Sequence, residues 1–229
     1  MANSSIYNNL FGSLKGGNKN TFNHLITTMY KKKEFLILVF SNLLVQLGIT
    51  YYVMQRTNTS VNNWVLFAAQ LILIIIISFV PMPPFIKFLL FCIFSYTFGL
   101  SLSIIKKTTN SQMINVAIQG ALSVFLLMVL SGVALIFGGI RLGFQFGMIL
   151  FWLLLLLIIA QLVFILNTGL SYASKIVSFL GVILFASYIV YDTNIILQRD
   201  YYGDFITASM DYYLDILNLF TSILGSNNS

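Results

Sequence analysis

Three aspartates stand where carboxylates are expensive. Asp192, Asp211 and Asp215 lie within Tyr188–Asn227, where two strongly apolar segments carry them. An ionised Asp at the centre of a bilayer costs about 2.5–3.5 kcal/mol on insertion scales, so an acid at that depth is a functional-site hypothesis by default. At about 100° per residue, Asp204, Asp211, Asp215 and Asn218 fall within an arc of about 60° on one helix. That stripe must face protein or water, because lipid would impose the full desolvation cost. Asp192 sits in the preceding segment one turn after Tyr188, with Tyr191 beside it. A short loop joins the two segments, which places them side by side. A small tilt or offset then brings Asp192 to the depth of Asp215.

Two carboxylates that meet in a low dielectric cannot both ionise cheaply, so they share one proton. Such a pair is a proton-sensitive latch. Protonated, it holds two helices together; deprotonated, it repels and invites a cation, and a hard cation such as Ca²⁺ prefers carboxylate and carbonyl oxygens. The bland alternative is a neutral, hydrogen-bonded knot that only fixes helix packing. Other chemistry is poorly supplied. His24 is the one histidine and cannot build a metal site by itself. Cys92, the single cysteine, reads as a small core residue. An intramembrane serine hydrolase needs a Lys or His at membrane depth, and the Gly-x-Gly-Asp element of presenilin-type aspartyl proteases is absent beside Asp215. A retinal protein would need a lysine in the last segment. The expectation is therefore a protein that is not an enzyme and carries no cofactor.

The surroundings must be lipid. Of 229 residues 59% are hydrophobic and 8% charged, with a mean hydropathy of +0.92, against about 25% charged in a soluble domain. The net charge of +6 is spread over short patches between apolar runs, a pattern that suits topology and anionic headgroups and not nucleic acid. With about 20 apolar residues per span, the sequence predicts helices over Phe35–Met54, Trp64–Val80, Phe85–Ile105, Met113–Phe137, Phe144–Leu166, Ser174–Leu197 and Phe205–Leu224. The expected fold is an all-α, seven-transmembrane-helix bundle: six strong spans and a short, acidic seventh that either spans or re-enters. Residues 1–33 read as a flexible polar cytoplasmic tail and 34–225 as a single bundle domain with short antiparallel connections.

Orientation follows from lysine and arginine in short loops. Lys15, Lys19, Lys31, Lys32, Lys33, Lys87, Arg141 and Arg199 share one side, against Arg56, Lys106, Lys107 and Lys175 on the other, which puts the N-terminus in the cytoplasm. Asn58-Thr-Ser60 is a glycosylation sequon on the predicted outer loop. Within the spans, Asn42 and Gln46 share a helix face, and with Gln70, Gln119 and Gln161 they read as interhelical hydrogen-bond donors worth about 0.6 kcal/mol each. Gly99, Gly120 and Gly132 are the expected points of close helix approach.

The acidic stretch also carries a resemblance. Ser187-Tyr-Ile-Val-Tyr-Asp-Thr193, followed by Asp204-Phe-Ile-Thr-Ala-Ser-Met-Asp-Tyr-Tyr-Leu-Asp-Ile-Leu-Asn-Leu-Phe220, resembles the signature of the transmembrane Bax inhibitor motif family, also called Lifeguard, over about 35 residues. The resemblance implies seven helices with a central one wrapped by the others. It further implies a pH-sensitive calcium leak and protection against stress-induced cell death. By motif position it assigns the family's aspartate pair to Asp192 and Asp215, the two that insertion depth selects. Three features depart from the family's pattern. The second span lacks the arginine that some members place against the pair, so either the latch is weaker or another donor such as Gln70 or a tyrosine serves. The third span's Tyr96-Thr-Phe-Gly-Leu100 has no acidic residue, and Asp211 stands where a small or amide residue is usual.

The sequence reading is a pH-gated calcium leak with anti-apoptotic activity in a eukaryotic host cell. Asp192 and Asp215 form the gate and the candidate calcium site, and Asp204, Asp211, Asn218, Tyr188, Tyr191 and Gln70 support them. Its expected partners are the bilayer, calcium ions and cell-death regulators, in the endoplasmic reticulum or Golgi of a eukaryote or the plasma membrane of a bacterium. The alternative is a non-conducting membrane protein that regulates cell-death or calcium-handling partners.

Overall fold

A computed structural model describes residues 27, 30–58, 61–166 and 171–227. His24, Lys15, Lys19 and the sequon residues Thr59 and Ser60 lie outside that set. Among the described residues the chain forms seven long helices: α1 (Lys33–Arg56), α2 (Asn63–Phe79), α3 (Pro84–Thr108), α4 (Ser111–Phe137), α5 (Phe144–Leu166), α6 (Ser171–Gln198) and α7 (Phe205–Asn227). Each predicted helix is present, with ends that move by a few residues. Five of them, α1, α3, α4, α5 and α6, are long and apolar enough to cross a membrane. α2 is as apolar but has 17 residues. α7 has 23, as many as α5, so the seventh segment is not short; its acidic and polar residues are what lower its hydropathy.

Local chemistry explains where the helices begin and stop. Asn62 caps α2, its side-chain oxygen accepting the Trp64 N–H at 2.9 Å. The Pro81-Met-Pro-Pro84 run ends α2 and starts α3, with Pro84 in the first turn, where a missing N–H costs nothing. α4 ends in a Schellman motif: Gly139 turns left-handed at φ +78°, its N–H reaches Ile136 O, and the Ile140 N–H reaches Leu135 O at 2.8 Å. Glu34 in the first turn and Arg56 in the last complement the dipole of α1.

The helices separate into two compact units. One unit holds Asn115–Asp200 and Leu214–Ser229 with the described residues up to Lys33; the other holds Glu34–Ile114 and Tyr201–Tyr213. α7 is thus divided at Tyr213, its first part in one unit and its remainder in the other. In the second unit α2 packs on α3, and Val39, Ile77, Phe91, Phe94 and Tyr213 form a fully buried core. In the first, α5 packs on α6 around Ala117, Ile189, Ile196 and Leu219. The outer faces are as apolar as the cores: Leu44, Ile72, Leu130, Leu156 and Phe179 are all exposed. Helices apolar all round are at rest only in lipid.

Close approach occurs at two of the three expected glycines. A Cβ on Gly99 would lie 2.7 Å from Val53 Cβ and 2.8 Å from the Thr50 carbonyl, and one on Gly132 would lie 2.7 Å from Thr193 Cβ. Gly120 is an ordinary contact, with Ile223 Cδ1 at 3.4 Å.

Candidate intramembrane carboxylate site

Reciprocal small residues bring α6 and α7 together in the first unit. A Cβ added at Gly181 would meet Ser222 Oγ at 2.6 Å, and one at Gly225 would meet Ser178 Oγ at 2.6 Å. Each serine therefore fills the space over a glycine of the other helix. Toward the opposite end of α6, Thr193 fills the space over Gly132 of α4. This close pairing leaves no room for large side chains between the helices, so groups that point inward must bond one another.

Asp192 and Asp215 approach one another there. Asp215 is buried, 6% exposed, Asp192 is half-buried, and their carboxyl groups lie within interaction range of each other. A carboxylate has no proton to donate, so a hydrogen bond between the two would need a proton on one of them. Tyr188, one turn before Asp192, lies within electrostatic range of both carboxyls, and Tyr191 within range of Asp192 and Arg199. The Tyr191 ring rests against Phe146 of α5, centroid to centroid 5.9 Å.

The end of α6 beyond the pair is tied down. Asn194, fully buried, accepts the Leu142 N–H at 2.8 Å, donates to the Ile140 carbonyl at 3.2 Å and accepts from Gln198. The Lys32 ammonium donates to Ile196 O at 2.8 Å and to Arg199 O, satisfying late carbonyls of α6 with a cation at the negative end of its dipole. Burial lowers the pKa of Lys32, and Asp200 opposes that shift.

The second unit holds the other expected polar groups. Asp204 is the N-cap of α7: its Oδ1 accepts the Thr207 N–H at 3.1 Å, and its Oδ2 accepts from Lys87 Nζ at 2.6 Å and Thr207 Oγ1 at 2.8 Å. Burial penalises this carboxylate, but the Lys87 and Thr207 bonds outweigh the penalty and hold its pKa below the ordinary 3.8. Asp211 is half-buried on α7 in the same unit, and Gln70 donates to Ser101 Oγ at 2.9 Å. Asn218, half-buried, follows Asp215 in the first unit. The predicted acidic stripe of α7 is thus apportioned: Asp215 to a carboxyl partner, Asp204 to a lysine.

A neutral seam runs along α1 in this second unit. Asn42, Gln46 and Thr50, four residues apart, are all buried. Asn42 Nδ2 donates to Ser209 Oγ at 2.5 Å, Gln46 Nε2 to Asn42 Oδ1 at 3.1 Å, and Ser95 Oγ to Gln46 Oε1 at 2.8 Å. The Tyr213 hydroxyl lies 2.5 Å from Thr50 Oγ1, whose own proton has the Gln46 and Ser95 carbonyls as acceptors. Phe91, Phe94 and Phe98 enclose the Tyr213 ring at 5.2–6.4 Å. Cys92 is a free, half-buried thiol that accepts from Gln46 at 3.5 Å.

Sequence reasoning missed the Lys87–Asp204 pair, the Asn194 clamp and the serine–glycine reciprocity. The first had a signal, since an Asp just before a predicted helix is an N-cap. The other two depend on which helix faces which, and one strand of sequence does not carry that.

These features define a multi-pass integral membrane protein, all-helical among the described residues, with carboxyl groups on two adjacent helices near one another. The chain belongs to the Bax inhibitor family: the family model described as "Inhibitor of apoptosis-promoting Bax1" matches residues 28–226. "Protein LIFEGUARD 1" of Arabidopsis thaliana is 36% identical over 92 residues, 39% of each chain. "Protein LIFEGUARD 4" of the same plant is 35% identical over 99 residues, 42% of this chain and 40% of that protein. "Bax inhibitor 1" of Saccharomyces cerevisiae is 37% identical over 73 residues, 32% of this chain and 25% of the yeast protein. The matched stretches therefore span less than half the length of these curated relatives.

Proposed function

We propose that the protein is a pH-sensitive calcium leak gated by the Asp192–Asp215 pair, and that it protects a eukaryotic host cell from stress-induced death. The observation that carries this reading is the approach of the two carboxyls of α6 and α7 to within interaction range. While one proton is shared, the pair is a latch. When that proton leaves, two adjacent negative charges repel, the helices part, and carboxylate oxygens become available to a hard cation. Tyr188 stands near enough to both carboxyls to serve in place of the absent second-span arginine. In this reading all seven helices cross the bilayer with the N-terminus in the cytoplasm, in the endoplasmic reticulum or Golgi of a eukaryote or the plasma membrane of a bacterium.

Calcium flux into vesicles holding the purified protein tests it. Flux should rise from acidic to alkaline buffer, and Asp192→Asn with Asp215→Asn should remove that dependence. An unchanged pH profile in the double variant would sink the gating mechanism. A folded protein that passes no calcium at any pH would favour the other reading, a non-conducting partner of cell-death or calcium-handling proteins.

A further inference from the structure

α6 presents a second face, away from Asp192. Val182, Ile183, Ala186, Ser187 and Val190 fall within an arc of about 140°, and Tyr188 and Asp192 project from the opposite side of the helix. Together with residues of α4 and α5, and with Leu142 at one end, those five line a groove of about 470 Å³, within the ~300–1,000 Å³ of ligand clefts. Its lining is almost wholly apolar. Ser187 is the one hydroxyl in it, and that hydroxyl is already donated to the Ile183 carbonyl at 2.8 Å. An apolar groove of this kind has no partners to offer water.

A charged residue adjoins the groove in sequence without lining it. Leu142 follows Arg141, an exposed residue in the turn between α4 and α5. The residues on both sides of Arg141 are held by the same buried amide: Asn194 accepts the Leu142 N–H and donates to the Ile140 carbonyl. Burying an asparagine completely is costly unless it is bonded, and these bonds fix the backbone on which a single charged side chain is displayed. A guanidinium suits a phosphate, which it can bind through two parallel hydrogen bonds. From Val190 to Val182 the rise along α6 is about 12 Å, most of one leaflet of a hydrocarbon core about 30 Å thick.

We propose that this groove is an anionic phospholipid site, in which one acyl chain lies along α6 from Val190 to Val182 and Arg141 holds the headgroup phosphate. Arg141 and the apolar slot match the two ends of one molecule. The site lies on the side of α6 away from Asp192, so the lipid does not compete with the carboxyl pair, and the proposal stands or falls apart from the calcium reading.

Native mass spectrometry of the full chain in detergent, titrated with phosphatidylglycerol or phosphatidylcholine, tests it. The wild type should retain one phosphatidylglycerol, and prefer it over phosphatidylcholine by about tenfold, equivalent to about 1.4 kcal/mol. Arg141→Gln, a change at an exposed position, should abolish the preference; a preference that survives it overturns the headgroup assignment. Ala186→Trp should fill the slot and abolish retention of both lipids. Undiminished retention in a folded Ala186→Trp protein overturns the groove as the site. If that variant does not fold, Arg141→Gln alone decides.

Discussion

Asp204 and Asp215 stand on or beside the same helix, yet the molecule uses them in opposite ways. Asp204 has a lysine and a hydroxyl for partners and caps the start of α7. Its charge is compensated, so it stays ionised, and its work is structural. Asp215 has another carboxyl within interaction range, and a bond between two carboxyls would need a proton. The lesson is that burial alone does not make an acid functional; the identity of its neighbour does. A basic partner turns a carboxylate into a fastener, and a second carboxylate turns it into something that responds to pH. The same contrast separates the two units as wholes. The seam of Asn42, Gln46, Thr50 and Tyr213 joins amides and hydroxyls, whereas the first unit holds the two neighbouring carboxyls.

That comparison breaks most visibly in flux. Asp192→Asn with Asp215→Asn should flatten the pH profile of calcium flux, while Asp204→Asn should leave its shape intact. A flattened profile in Asp204→Asn would mean that the two acids are not functionally distinct. Stability comes next. Tyr213→Ala removes a fully buried ring and should cost about 3–5 kcal/mol, read by thermal unfolding in detergent, and Tyr213→Phe about 1 kcal/mol for the lost hydroxyl bond. Gly132→Val forces a side chain into the space held by Thr193 and should cost about 1–3 kcal/mol; an unaffected melting temperature would show that α4 and α6 can separate freely.

Smaller effects sharpen the contrast. Asp204→Ala loses a helix cap, worth about 0.5–2 kcal/mol. Because the folded protein holds the Asp204 pKa below 3.8, its stabilisation is fully present above that value and is lost as pH falls through the lower folded one. The stability gap between wild type and Asp204→Asn should therefore be constant near neutrality and close in strong acid. Gln70→Leu should cost only about 0.6 kcal/mol, and a much larger loss would give the Gln70–Ser101 bond a role beyond packing.

Much of this was legible in sequence because lipid is an exacting solvent. Each of the seven segments reads as a helix, since unpaired backbone groups cannot face hydrocarbon. Asp192 and Asp215 stood out because charge at that depth is expensive. The α1 amides at Asn42 and Gln46 were recognisable as a shared polar face, and two of the three expected glycine contacts occur. Other features were not legible. Asp204 shared an arc with Asp215 on a helical wheel, but the wheel ignores that Asp204 precedes the first turn and that Lys87 lies within reach. Asn194 looked like one more polar residue near a helix end, and Arg141 like one more loop charge.

Hydrophobic lengths, turn residues and the cost of buried charge determined by themselves that this chain is a helical membrane protein with carboxyl groups in its last two segments. These are local properties, set by each residue's exchange between water and lipid. Only the tertiary structure decided which partner each acid has. Packing at Gly181, Gly225 and Gly132 sets which helix faces come together, and a partner's charge decides whether a carboxyl is held ionised or must share a proton.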